Sequence, residues 1–202
     1  MKEKKSEIIP IFSTPIFIAD YGRVDKELEL IKKMSFRSQK FGNGNQATKN
    51  SYILNEIEFG HLKRFILENL KTYAKTVLET SEELYITQSW TNRNKKGMVH
   101  HEHIHPNSIV SGVLFLNKEE KFPPIKFSKN VFNSIQLKIN KFNSFNSTNF
   151  SVGVKPGKLI LFPSSLRHSV PVNICEEERY TLSFNTFAKT LGAENNLTLV
   201  KQ

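Results

Sequence analysis

The 202-residue sequence holds a single cysteine, Cys175, so no disulfide can form within the chain. Cys175 stands beside three consecutive glutamates in turn-like sequence and reads as an ordinary small residue. No apolar run approaches the roughly 18 residues that a membrane-spanning helix needs. The opening "MKEKKSEIIP" lacks the apolar centre of a secretion signal. These absences lead to the expectation of a cytoplasmic chain with no membrane partner. No internal repeat and no linker-like stretch divides the sequence, so residues 1–202 are expected to form one domain with a real core. Nor does any segment mix aromatic and basic residues in the manner of a single-strand nucleic-acid platform.

Positive charge, by contrast, is plentiful. Lys and Arg number 29 against 19 Asp and Glu, a formal net charge of +10. Such a balance raises affinity for nucleic acid and other acidic partners. The lysines are scattered, however, and the abundance of Asn, Ile and Phe fits a biased coding composition. A nucleic-acid partner therefore stays open without being favoured.

Periodicity divides the chain near residue 80. Before it, "IIPIFSTPIFIADY" gives two short strand-like runs broken by Pro10 and Pro15. Leu28, Ile31 and Met34 recur at helical spacing behind Asp25, a candidate cap. Residues 36–50 are polar and rich in Gly and Asn, which predicts a loop. The clearest helix follows, with Leu62, Phe65, Ile66, Leu70, Tyr73, Ala74 and Val77 on one face and an Asn55–Glu58 capping box before it. His61 falls in its first turns as a surface or packing residue. Beyond residue 80 the period becomes two. "LYITQSW", "IVSGVLFL", "PPIKF", "SIQLKI", "FSVGV", "KLILF" and "RYTLSFNTF" are short strands separated by turn signals, the pattern of a sandwich or barrel. Residues 128–150 read as a long insertion or hairpin between strands. The expected architecture is α+β, with a supporting N-terminal portion (1–80) and an all-β core (81–190).

Four of the six histidines fall within "VHHEHIHPNS", residues 99–108. On an extended strand, His101, His103 and His105 share one face, while His100 and Glu102 share the other. Two imidazoles at i and i+2 on one strand can reach the same metal ion, although the pair alone is a weak signal. His168, in "GKLILFPSSLRHSVPVN", is the natural third ligand, brought across a sheet sandwich from a distant strand. In "RYTLSFNTF", Arg179, Thr181, Ser183 and Asn185 form one polar face whose only charge is Arg179. An amphipathic strand with that face in solvent is the commoner case, but a polar cavity with one arginine suits an anionic organic ligand, since Arg clamps a carboxylate bidentately.

Together these motifs resemble the iron(II)/2-oxoglutarate-dependent dioxygenases. More narrowly, "HIHPNSIVSGVLFL", "GKLILFPSSLRHSVPVN" and "RYTLSFNTF" are similar to a family of short bacterial and phage proteins within that group. "IFSTPIF" and "SWTNRNKKG" fit the same pattern, so the resemblance covers most of the chain. It implies a double-stranded β-helix, or jelly-roll, with supporting helices. It also implies that His103, His105 and His168 hold Fe(II), and that Arg179 with Thr181 binds 2-oxoglutarate. Asn107, Ser108 and Ser111 match the pattern and are expected to shape that pocket. The implied activity is hydroxylation of an unidentified substrate by dioxygen, with release of succinate and carbon dioxide. One departure stands out. The wider group uses two histidines and a carboxylate, whereas His105 occupies the carboxylate position here. An alternative ligand set is His100 and Glu102 with His168. Two other readings remain: a cupin-type metal protein, for which the glutamate after His105 is missing, and a non-enzymatic basic jelly-roll binding module.

Overall fold

The computed structural model describes residues 7–38, 43–129, 137–192 and 197–199. Eleven strands build two facing sheets. The larger sheet contains β1 (Phe17–Asp20), β2 (Phe36–Ser38), β3 (Gln46–Thr48), β4 (Leu84–Asn94), β6 (Val110–Phe115), β9 (Lys158–Pro163) and β11 (Arg179–Ala188), in the order β1-β9-β6-β11-β4-β3-β2. The smaller contains β5 (His100–His103), β7 (Ile125–Ser128), β8 (Asn149–Val152) and β10 (Arg167–Val170), in the order β5-β10-β7-β8. Every pairing within these sheets is antiparallel. Two further short strands, Thr190–Leu191 and Leu197–Thr198, pair with each other. The chain thus forms the expected double-stranded β-helix, with α1 (Asp25–Lys32) and α2 (Gly60–Thr76) supporting it.

Strand alternation sorts the apolar side chains into two cores. Leu114, Leu159, Leu161, Tyr180, Leu182 and Phe184 point to the helical side of the larger sheet, where they meet Leu28, Ile31, Leu62, Ile66 and Leu70. Phe115, Ile160 and Phe162 point the other way, between the sheets, to Ile125, Phe127 and Val152. Leu62, Ile66 and Leu70 are fully buried, and each contributes roughly 1.5–3 kcal/mol through removal from water. This helix-to-sheet packing is what the 3.6-residue spacing predicts.

Several local expectations fail for identifiable reasons. Neither helix carries a side-chain cap. Asp25 instead pairs with Lys118 at 2.7 Å, and the Asn55 carboxamide oxygen accepts a hydrogen bond from Lys63. Two 3-10 turns, Ile53–Asn55 and Ile57–Phe59, separate Asn55 from the helix it was expected to cap. Only the second N-terminal apolar run forms a strand; Ile8, Ile9 and Ile11 are exposed. Residues 36–50 contribute β2 and β3 rather than a loop. No apolar alternation signals them because polar side chains make the cross-strand contacts: Gln46 accepts from Arg93 at 2.6 and 2.9 Å, and Asn45 donates to Asn92 at 2.7 Å. Strands β7 and β8 pair antiparallel with Ser128 opposite Asn149; residues 130–136 of the stretch between them lie outside the described residues. Within "SIQLKI", residues 134–136 lie outside the described residues, and 137–139 form no strand.

Gly112 marks a close approach between β6 and β11. A Cβ there would sit 2.1 Å from Cζ of the buried Phe184 ring. Gly112→Ala is therefore expected to destabilise the fold by about 1–3 kcal/mol through overpacking. Denaturant titration will show a lower midpoint at unchanged slope, and adding Phe184→Leu will restore part of the loss.

Candidate metal and anion site

Strand β5 does not alternate as a regular strand would. His103 lies opposite His168 of β10, and His100 lies opposite Val170, with a register shift between the two pairs. Two residues, His101 and Glu102, are thus matched by one, Ser169, which is a β-bulge. The bulge returns His100 to the side of His103, and the two rings stack at 4.4 Å. His101 and Glu102 are exposed, with Glu102 3.7 Å from Arg167. Glu102 is therefore not part of the histidine cluster, and the pairing of His100 with Glu102 as joint ligands is not what the geometry brings together. His168 reaches the site as the in-register neighbour of His103 within one sheet, not across the sandwich as expected.

Beyond the end of β5, the His105 N–H donates to the Ser164 carbonyl at 2.9 Å, which fixes its backbone beside the β9–β10 turn. The rings of His103, His105 and His168 then converge. Their centroids lie 4.3 to 5.1 Å apart, and one ligand atom from each falls within 4.8 Å of the others. Each ring has its Nδ1 at an oxygen acceptor. His103 Nδ1 donates to the His101 carbonyl at 2.7 Å, His168 Nδ1 to the Leu166 carbonyl at 2.9 Å, and His105 Nδ1 to Oδ1 of Asn185. This fixes the neutral tautomer with a lone pair at Nε2. The Nε2 atoms of His103 and His105 are 3.1 Å apart. Two lone pairs at that distance repel unless a proton or a cation lies between them. Burial holds all three imidazoles below their usual pKa, His105 at about 4 and His168 at about 3. A proton is therefore disfavoured, and this donor set fits a divalent metal that accepts imidazole nitrogen.

Asn185 and Ser111 orient His105 from behind. Ser111 Oγ lies 3.0 Å from His105 Nδ1 and donates to Asn185 at 2.9 Å, and a hydroxyl chain continues through Ser164 to Ser108. Ser111 is fully buried and braces His105 rather than facing a ligand. Asn107 is exposed, at a φ of 58° in the turn after Pro106, and lines neither cavity of the site. Asn tolerates this left-handed backbone region better than most residues. Asn185 belonged to the recognised polar face of β11. Its bond to His105 was not legible, because the strand spacing leaves open which strand ends meet.

Arg179 and Thr181 line a narrow cleft together with all three histidines. Arg179 is 1% exposed. Its Nε donates to the Pro123 carbonyl at 3.2 Å, and its guanidinium lies 5.5 Å from the Phe115 ring. Burial lowers its pKa to about 10, so it remains a cation at neutral pH. Among the described residues no carboxylate forms an ion pair with it. Its cross-strand neighbour Asn94 is fully buried with both amide atoms unpartnered. A buried cation without a charged partner is costly, and an anionic ligand beside the guanidinium would offset that cost. Outside the cleft opens a pocket of about 530 Å³, walled by Arg37, Asn45, Gln88, Trp90 and Asn185, with no carboxylate among the described residues of its lining. The Trp90 indole N–H is held by Asn92 at 3.3 Å, and its ring stands 5.7 Å from His105. Sequence reasoning had not singled out Trp90.

The depressed imidazole pKa values have a consequence for the metal-free protein. The unfolded chain takes up protons near pH 6.5, whereas the folded chain keeps these rings neutral until near pH 4. Unfolding therefore binds protons, and stability falls as pH drops from about 6.5 toward 4. Urea midpoints measured across this range in the presence of a chelator are expected to decline, and His168→Gln is expected to flatten the decline.

Comparison with known proteins agrees with this architecture. Solved structures share the fold at low identity, three of them as follows. HygX from Streptomyces hygroscopicus, with nickel and 2-oxoglutarate bound, is 12% identical with a TM-score of 0.61, over 92% of this chain and 91% of that one. A Pseudomonas putida prolyl-4-hydroxylase is 14% identical with a TM-score of 0.59, over 86% and 93%. The non-heme alpha-ketoglutarate-dependent epimerase SnoN from nogalamycin biosynthesis is 11% identical with a TM-score of 0.64, over 88% and 80%. None of the curated proteins matches the chain significantly. The family model described as "Putative 2OG-Fe(II) oxygenase" matches residues 88–185, the stretch that carries all three converging histidines and Arg179. Over this stretch the chain is similar to the 2OG-Fe(II) oxygenase family.

Proposed function

We propose that this chain is an Fe(II)- and 2-oxoglutarate-dependent dioxygenase that hydroxylates its substrate, with His103, His105 and His168 holding the metal and Arg179 with Thr181 holding the cosubstrate. The observation that carries this reading is the juxtaposition in one cleft of three convergent Nε2 lone pairs and a buried arginine with no carboxylate partner among the described residues. A cupin-type site has no need of that arginine.

When bound, the iron and 2-oxoglutarate supply the oxidative chemistry, in which dioxygen and 2-oxoglutarate yield succinate, carbon dioxide and one oxygen atom for the substrate. The chain's contribution is placement. Three neutral imidazoles leave the full charge of the metal uncompensated by protein, which favours a dianionic cosubstrate over a neutral one. Arg179 offers the distal carboxylate a preorganised fork, and Thr181 adds a hydroxyl on the same strand face. Val113, Ile125 and Val170 wall the cleft with apolar surface and restrict water there. The pocket beside Trp90 is the place for the prime substrate, and its lack of carboxylates among the described residues selects against a cationic one. No described helix is long and apolar enough to cross a membrane.

The test is metal-dependent binding and turnover. Purified protein with Fe(II) and labelled 2-oxoglutarate is expected to release succinate, and Mn(II) is expected to support binding of 2-oxoglutarate. Arg179→Ala will weaken that binding about 100-fold or more while leaving Mn(II) affinity nearly unchanged, because it leaves the carboxylate without its charged partner. Asn185→Leu is expected to lower metal affinity about 10- to 100-fold by releasing the His105 ring. Absence of both succinate release and metal-dependent 2-oxoglutarate binding would overturn the proposal.

A further inference from the structure

His100 is the fourth histidine of the cluster, and neither the metal nor the arginine accounts for it. It is not one of the three rings whose ligand atoms converge. The bulge at His101 and Glu102 is what turns it inward, since regular alternation would have pointed it away from His103. Its ring is half-buried and stacked on His103 at 4.4 Å with an interplanar angle of 22°. No hydrogen bond links that ring to any described residue. It also lines both cavities, the narrow cleft with Arg179 and Thr181 and the outer pocket with Trp90. A ligand in the cleft between the histidine triad and Arg179 would therefore have the His100 ring in its wall.

We infer that His100 is a cosubstrate-binding residue, whose ring nitrogen donates a hydrogen bond to a carboxylate oxygen of 2-oxoglutarate lying between the triad and Arg179. The inference rests on the function proposed above and adds a residue to it. A ring with two nitrogens and no hydrogen-bond partner among the described residues has this donor available, and a carboxylate is the acceptor that the neighbouring arginine selects. The stacking on His103 holds the ring in place without using either nitrogen. His100 thus contributes orientation at little entropic cost.

Two substitutions separate this role from a merely structural one. His100→Phe keeps an aromatic ring against His103 and removes both nitrogens. His100→Asn gives up the stacking and keeps a side-chain donor. Mn(II) affinity and 2-oxoglutarate affinity at saturating Mn(II) are measured by calorimetry for both variants and the unaltered chain. His100→Phe is expected to weaken 2-oxoglutarate about 10- to 100-fold, the range for a hydrogen bond to a charged group, with Mn(II) affinity changed less than threefold. His100→Asn is expected to recover a substantial part of the loss. The inference is overturned if His100→Phe binds 2-oxoglutarate as the unaltered chain does, or if His100→Asn is the weaker of the two. It is also overturned if Mn(II) affinity falls in parallel, which would make His100 a support of the metal. Failure of the unaltered chain to bind Mn(II) and 2-oxoglutarate would instead remove the proposed function itself, a result distinguishable from all of these.

Discussion

Strand β11 pairs with β4 from Arg179 to Ala188 and with β6 from Thr181 to Asn185. It is the strand through which the helical layer and the site are joined. Its two-residue alternation sends Tyr180, Leu182 and Phe184 into the helical core and sets Arg179, Thr181, Ser183 and Asn185 on the opposite face. Burial on one face and ligand chemistry on the other are thus one constraint. Any slip of register by one residue would put leucine into the cleft and arginine against α2. The ladders to both neighbours hold that register, and the close fit of Gly112 to the Phe184 ring adds a steric check.

Opposite β11, the smaller sheet contributes the histidines. His103 and His168 face each other across the β5–β10 ladder, and His105 is brought to them by a single backbone bond to Ser164. The donor set is therefore assembled mainly from main-chain geometry, and the side-chain network of Asn185, Ser111, Ser164 and Ser108 fixes one ring within it. The electrostatic design has two parts. Buried neutral imidazoles present lone pairs to one point, and a buried guanidinium with no described carboxylate partner presents charge to another. Each part alone would be an unfavourable thing to bury.

Sequence spacing indicated a sandwich or barrel and put His101, His103 and His105 on one face, because short strands leave a periodic trace; the motif resemblance narrowed this to a jelly-roll with His103, His105, His168 and Arg179 as one group. Less was legible wherever polar contacts replaced apolar ones. Strands β2 and β3 are built on Gln46–Arg93 and Asn45–Asn92 bonds, which a hydrophobic period cannot register. The positions of His100 and Glu102 were misjudged for a different reason. Alternation assumes an unbroken strand, and a bulge exchanges faces without changing composition. Ser111 and Asn107 sit near the site in sequence, but one braces a ring and the other lies in a turn. Motif proximity does not distinguish a wall from its foundation.

The bulge in β5 also bears on how the molecule coexists with its own copies. β5 is an outer strand of the smaller sheet, so one side of its backbone is unpaired by the sheet. A straight, apolar edge of this kind invites another chain to add to it. Here the irregular segment presents exposed His101 and Glu102, with Glu102 near Arg167, and breaks the even spacing that an added strand would need. The distortion that gathers histidines inside the cleft therefore also guards the sheet's margin against aggregation.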